Sequence, residues 1–188
     1  HLVDHDVIVQ LSAIDELKSW SLQALSLNTD EQSKGDSEVE FLVLGAGMSY
    51  KSMLPALEQH FPAFANLFER IASPQIRNMG TIGGNVANAS PIGDLPPILL
   101  ALDAHIHLRH CAASNSATDN INVNNVYSNQ VSSIDEIIPL SKFFLDYKKT
   151  KLRAGSYVVA VHIPLMQDHQ YLYIHKISKR YEDDISSC

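Results

Sequence analysis

The 188-residue sequence predicts an α+β domain, and three observations carry that expectation. Several short runs, among them 39–44 (VEFLVL), 157–163 (YVVAVHI) and 171–177 (YLYIHKI), have the length and apolar or β-branched content of strands. Between them, 50–60 and 63–72 carry apolar residues at helical spacing. Hydrophobic residues make up 45% of the chain, enough at this length for one ordinary globular core.

Taken in order, 7–11 (VIVQL) reads as a short strand and 14–20 as a brief helical or turn segment. The stretch 28–37 (NTDEQSKGDS) is polar and charged, so it cannot join a packed core and is expected to be a loop. Strand 39–44 then meets Gly45-Ala46-Gly47, a turn into the helix over 50–60. Phe61-Pro62 interrupts that helix, and the next one, over 63–72, places Phe64, Leu67, Phe68 and Ile71 on one face. Residues 73–97 mix Gly, Asn, Ser and Pro and read as irregular backbone rich in exposed amides. A helical segment over 98–102, a strand over 105–108, a Ser/Asn-rich surface insertion over 111–133 and a segment 137–144 leading to a turn follow. The strands 157–163 and 171–177 are joined by a hairpin-like return over 164–170.

Composition excludes several functions. A net charge of −7 argues against a nucleic-acid binder, whose affinity rests on Lys and Arg neutralising phosphates. No apolar run approaches the roughly 20 residues of a membrane span, and the N-terminus lacks the layout of a signal peptide, so a soluble, cytoplasmic protein is expected. Cys111 and Cys188 are the only cysteines, which leaves no disulfide framework and no self-contained zinc or iron–sulfur site. The opening at His1 and the stop at Cys188 after a charged run read as a domain cut from a longer polypeptide.

The most informative stretch is 81–94, TIGGNVANASPIGD. Glycines such as Gly83 and Gly84 let backbone approach a ligand, and successive N–H groups in such turns can face phosphate oxygens. Thr81, Asn85, Asn88 and Ser90 add short polar side chains, and Asp94 can accept from a ribose hydroxyl. A loop that merely joins two elements has the same composition, so composition leaves both readings open. Other constellations read more plainly. Gly45-Ala46-Gly47 lacks the third glycine of a dinucleotide fingerprint, Tyr50 standing in its place, and is a strand-to-helix turn. His105, His107, His110 and Cys111 offer metal-ligand atoms but read as solvated residues of a strand edge, and no metal is expected. Glu182, Asp183 and Asp184 are adjacent acids of the solvated kind rather than a hydrolytic pair, and Arg77 reads as a solvated loop residue.

Residues 71–97, IASPQIRNMGTIGGNVANASPIGDLPP, resemble the second flavin-binding segment of the xanthine dehydrogenase family of molybdenum hydroxylases. The resemblance continues through Leu152 in KTKLRAGSYVVAVHIP and through Lys176 in KISKRYEDDI, and covers most of residues 39–187 apart from what read as insertions at 112–134 and, earlier, 28–37. It implies an FAD-binding domain of the two-lobed, PCMH-like type, here truncated at both ends. Residues 1–60 would be the remainder of the N-terminal lobe and 61–188 the second lobe with the Gly-Gly-Asn loop. By the same resemblance, the family's glycine-rich pyrophosphate turn is expected to lack a counterpart before Val7, and the C-terminal lobe after the Asp-Asp loop is expected to be missing.

By this resemblance Thr81, Ile82, Gly83, Gly84 and Asn85 line the diphosphate and flavin, with Asn88, Ser90 and Asp94 nearby. Leu152 packs on the isoalloxazine ring, Lys176 reaches its polar edge, and Ile71 stands where many relatives place an aromatic residue. The loop at 182–184 would lie on the nicotinamide side. No side chain is assigned a catalytic proton transfer. The implied function is electron transfer from iron–sulfur clusters through FAD to NAD during purine hydroxylation. The 2Fe–2S clusters and molybdopterin would be bound by partner domains or subunits outside this chain. The alternatives are the flavin subunit of a carbon monoxide or aldehyde dehydrogenase type enzyme, and a fragment that keeps the fold without FAD.

Overall fold

The computed structural model describes residues 11–25, 38–111, 133–180 and 185–186. A five-stranded antiparallel sheet runs through it in the order β1 (Trp20–Leu25), β2 (Val39–Gly45), β7 (Ser156–Pro164), β3 (His105–Cys111) and β4 (Ser133–Pro139). A small ribbon of β5 (Phe144–Asp146) and β6 (Lys149–Thr150) stands apart. The helices are α1 (Tyr50–His60), α2 (Pro62–Leu67), α3 (Pro74–Met79), α4 (Ile82–Ala87) and α5 (Leu95–Ala101). Single 3-10 turns occupy Leu11–Ala13, Asp15–Lys18 and Leu140–Lys142. Among the described residues the architecture is α+β, as the sequence predicts.

Alternation along the strands sorts the sheet into two faces. Leu42 and Leu44 of β2, Val161 and Ile163 of β7, and Ile106 and Leu108 of β3 join the main core with Met53, Leu57, Phe64, Phe68, Val86 and Leu99 from the helical segments. Burying each such large side chain contributes about 1.5–3 kcal/mol, so this face dominates stability. The opposite face carries a smaller cluster in which Phe41, Val43, Val159 and Ala160 pack against Leu17 of the Asp15–Lys18 turn. A bulge separates the two halves of β7: His107 pairs with Ala160 but Leu108 with Val158, leaving Val159 as the extra residue. Its carbonyl accepts from Ala46 N–H at 2.8 Å, so the bulge ties the sheet to the turn after β2. Segments on both sides of residue 60 share this sheet and this core.

Several expectations need correction. Residues 73–97 are not irregular: they hold α3, α4 and the start of α5. Capping explains it, because Ser73 accepts from Ile76 N–H, Thr81 accepts from Gly84 N–H, and Pro74 and Pro96 sit in first turns where their missing N–H costs nothing. The helix expected over 63–72 ends at Leu67. Phe68 and Ile71 are still buried, but the chain turns at Ala72, whose φ is 52°, and Arg77 Nη1 holds the carbonyls of Ile71 and Ala72 at 2.8 and 2.6 Å. Arg77 is thus a structural clamp rather than a solvated side chain.

Residues 171–177 form no strand. Burial alternates along them, with Leu172, Ile174 and Lys176 inward and Tyr171 and Tyr173 exposed at 78% and 79%, but no ladder forms on either side. The period-2 alternation is present without the pairing that the sequence predicts. Strand β1 went unread in the sequence because WSLQAL is mostly exposed at an edge. The expected strand 7–11 lies outside the described residues except for Leu11, which opens a 3-10 turn. The expected loop 28–37 and most of the insertion 111–133 also lie outside them.

Candidate functional site

The start of α4 is stitched to the turn that follows β2. Tyr50 N–H donates to Gly80 O at 2.9 Å, Ile82 N–H to Met48 O at 3.1 Å, and Gly83 N–H to Ala46 O at 2.9 Å. This contact requires a glycine: a Cβ on Gly83 would lie 2.5 Å from Ala46 Cβ and 2.8 Å from its carbonyl oxygen. Thr81 caps the helix by accepting from Gly84 N–H at 3.1 Å. The amides of Ile82, Gly83 and Gly84 therefore all have acceptors within the chain. Gly83 serves close packing of α4 on the Gly45-Ala46-Gly47 turn, while Gly84 keeps its open side to solvent.

Beside this junction lies a cavity of about 400 Å³, within the range of roughly 300–1,000 Å³ typical of small-molecule sites. Thr81, Gly83 and Gly84 form one wall and Leu152 and Tyr157 another, with Gly47 and Leu17 closing the side toward the sheet. The structure thus brings together four of the residues the sequence singled out: Thr81, Gly83, Gly84 and Leu152. Ile82 is fully buried behind them in the core. Asn85 carries a buried Oδ1 with no donor, about where Gly93 approaches it. An acceptor left so is costly unless something supplies a proton, which is a polar feature a ligand can satisfy.

The other sequence-expected residues are elsewhere. Ile71 packs in the main core and does not line the cavity. Asn88 is the exposed C-cap of α4. Ser90 borders a separate cleft of about 260 Å³ with Pro96, Phe144 and Tyr147. Asp94 and Lys176 face each other: Lys176 Nζ donates to Asp94 Oδ2 at 2.5 Å, and Ser186 Oγ donates to Oδ1 at 2.6 Å. Lys176 is only 7% exposed, and Arg70 Nη1 donates to its carbonyl at 2.6 Å. The acidic loop 182–184 lies outside the described residues.

Sequence reasoning missed Leu17, Gly47 and Tyr157 as cavity walls. Gly45-Ala46-Gly47 is a strand-to-helix turn, but it is also the partner surface of the Gly83 junction. The two glycine pairs, one after a strand and one opening a helix, were the available signal. Leu17 and Tyr157 carried none, since each reads locally as an ordinary apolar residue.

Charged groups gather on the far face of the sheet. Arg109 forks onto Glu16 at 2.9 and 3.0 Å and onto Asp135 at 2.7 and 3.0 Å, and reaches Tyr157 Oη at 3.3 Å. Its hydrogen bonds hold the Asp135 carboxyl down to about 2 and the Glu16 carboxyl below its usual range. His105 and His107 are not solvated edge residues, because β3 lies between β7 and β4. His162 joins them at 3% exposure with neither ring nitrogen bonded among the described residues, and burial, helped by the two neighbouring imidazoles, pushes it down to about 4. His107 Nε2 lies 3.3 Å from Asp135 Oδ2. Among the described residues, no group of three His, Cys, Asp or Glu side chains is placed to hold a metal ion. His110 points the other way, to Ser156 Oγ at 2.7 Å and Glu136 Oε2 at 3.1 Å.

Helices banked on one face of an antiparallel sheet, with a glycine-bearing helix start opening on an apolar cavity, make an α+β domain with a candidate small-molecule site. Residues 1–119 match the family model described as the FAD binding domain in molybdopterin dehydrogenase, and the chain belongs to that family. It is 32% identical over 131 residues to a nicotinate hydroxylase of Emericella nidulans, covering 69% of this chain and 8% of that protein. It is 32% identical over 130 residues to a xanthine dehydrogenase of Dictyostelium discoideum, covering 68% and 8%. The chain therefore spans a small part of these relatives. In fold it is similar to a carbon monoxide dehydrogenase from Hydrogenophaga pseudoflava, with TM-score 0.62 and 23% identity over 90% of this chain and 47% of that one. It is also similar to quinoline 2-oxidoreductase from Pseudomonas putida, with TM-score 0.63 and 21% identity over 93% and 49%. No helix among the described residues is long and apolar enough to cross a membrane.

Proposed function

We propose that this chain is the FAD-binding, electron-transferring part of a molybdenum hydroxylase of the xanthine dehydrogenase kind. The observation that carries the reading is the convergence of Thr81, Gly83, Gly84 and Leu152 on one apolar cavity closed by Gly47. These walls suit the planar ring portion of a flavin better than its phosphates, because the amides of Ile82 to Gly84 are already engaged. Bound there, FAD supplies the one- and two-electron exchange needed between iron–sulfur centres and NAD. Leu152 and Tyr157 exclude water from the ring, and Thr81 and Gly84 shape its approach.

Within this proposal residues 1–60 and 61–188 act as two lobes in the sense that Leu17 and Gly47 supply one side of the cavity and Thr81, Gly83, Gly84 and Leu152 the other. The partners are an iron–sulfur domain and a molybdopterin-bearing domain or subunit, with NAD as acceptor and a purine as the substrate of the whole enzyme. The xanthine dehydrogenases among the relatives support that choice.

One observation favours a second reading, in which the chain keeps the fold but does not hold FAD: the residues at 82–84 offer no free amide to a diphosphate. The visible spectrum of the purified chain with and without added FAD separates the two. Flavin bands with saturable fluorescence quenching support the proposal, and their absence supports the second reading. In the intact enzyme, purine-dependent reduction of NAD tests the acceptor and the substrate together.

A further inference from the structure

The apolar cavity is bounded in part by Leu17 and Tyr157, which come from two different elements, the Asp15–Lys18 turn and β7. Leu17 sits in the Asp15–Lys18 turn, whose backbone reaches the cavity rim through Gly47 N–H donating to Leu17 O at 2.7 Å. Gly47 is held close there, since a Cβ on it would lie 3.0 Å from that oxygen. Tyr157 sits near the start of β7, directly across from Arg109 of β3.

One side chain reaches both. The Arg109 guanidinium takes both oxygens of Glu16, the residue next to Leu17, and donates to Tyr157 Oη, with its carbon 6.0 Å from the centre of the Tyr157 ring. Its third contact, the fork onto Asp135, runs away from the cavity to the edge strand β4. A planar guanidinium fixes its partners in direction as well as distance, which a lysine in the same place would not do.

We infer that Arg109 is a positioning residue for the cavity, setting the distance between the Leu17 and Tyr157 walls by gripping Glu16 and the Tyr157 hydroxyl at once. The inference deepens the flavin reading and rests on it. Glu16 and Asp135 are both about half exposed, so each pair contributes little to overall stability. The two arms differ in what they hold: Glu16 a cavity wall, Asp135 only the sheet edge.

That difference supplies the test. FAD dissociation constants and the band shape of bound flavin are measured for the chain as it stands and for Glu16→Gln, Asp135→Asn and Arg109→Lys, with thermal midpoints alongside. Glu16→Gln and Arg109→Lys are expected to weaken FAD binding by about three- to fivefold, the range an exposed ion pair commands, and to alter the flavin band shape. All three are expected to shift the midpoint only slightly, and Asp135→Asn is expected to leave both flavin readouts unchanged. If Glu16→Gln binds FAD as tightly as the unaltered chain, or if Asp135→Asn weakens binding equally, Arg109 is a structural residue only and the inference is overturned while the flavin reading stands. If the unaltered chain binds no FAD, both fall.

Discussion

Lys176 Nζ and Asp94 Oδ2 lie 2.5 Å apart and join segments 82 residues distant in sequence. With Ser186 on the other carboxylate oxygen, the pair fastens the extended segment 171–177 against the start of α5, where no strand ladder holds it. Removing one partner of a buried pair costs far more than never having had the pair. Asp94→Asn is expected to lower unfolding free energy by about 3 kcal/mol, read from urea denaturation. A loss below about 0.5 kcal/mol, the size of an ordinary surface change, would show that the pair does not anchor the segment.

The α4 junction makes a sharper prediction. Gly83→Ala places a methyl group on the Ala46 backbone, where nothing flexible can yield, and is expected to cost about 2–3 kcal/mol. Gly84→Ala meets only the Thr81 hydroxyl at 2.9 Å and is expected to cost about 1 kcal/mol, the worth of the cap it disturbs. Equal costs at the two positions would contradict the packing role given to Gly83.

His162 predicts an acid dependence. Its folded form holds a proton less readily than the usual histidine value of 6.5, down to about 4, so the unfolded chain takes up protons first as pH falls. Stability is fully present above about pH 6.5 and declines by about 3 kcal/mol on the way to pH 4. His105, also lowered by burial, acts in the same direction. Asp135, whose carboxyl is held down to about 2, loses its contribution only below its ordinary value of 3.8 and leaves that window clear. Chemical denaturation of the unaltered chain and His162→Leu between pH 8 and pH 4 checks this. The substitution should flatten the profile, and parallel profiles would refute the assignment.

How much of this was legible in the sequence depends on how local the cause was. Strand β2, helix α1 and strand β7 were readable because their patterns and stops are local: an apolar run ended by glycines, or a periodic segment ended by Phe61-Pro62. The helices inside 73–97 were not, because caps at Ser73 and Thr81 outweighed a composition that favours turns. Segment 171–177 shows the opposite failure, since its alternation is real but pairing is a tertiary fact. Thr81, Gly83, Gly84 and Leu152 could be named as a group, whereas Leu17 and Tyr157 join them only through the sheet register and the Arg109 contacts. Asp94 and Lys176 were both singled out, but as separate groups facing a cofactor, and their mutual pairing was beyond sequence reading.

The measurement that bears most directly on the central claim is a flavin fluorescence titration of the unaltered chain beside Ala87→Phe, which fills the cavity from the α4 wall. The account predicts saturable quenching by the unaltered chain and at least about tenfold weaker binding by the filled variant, with its far-UV dichroism retained. Equal binding by the two would place the flavin elsewhere on the molecule, and no binding by the unaltered chain would contradict the claim that this cavity holds FAD.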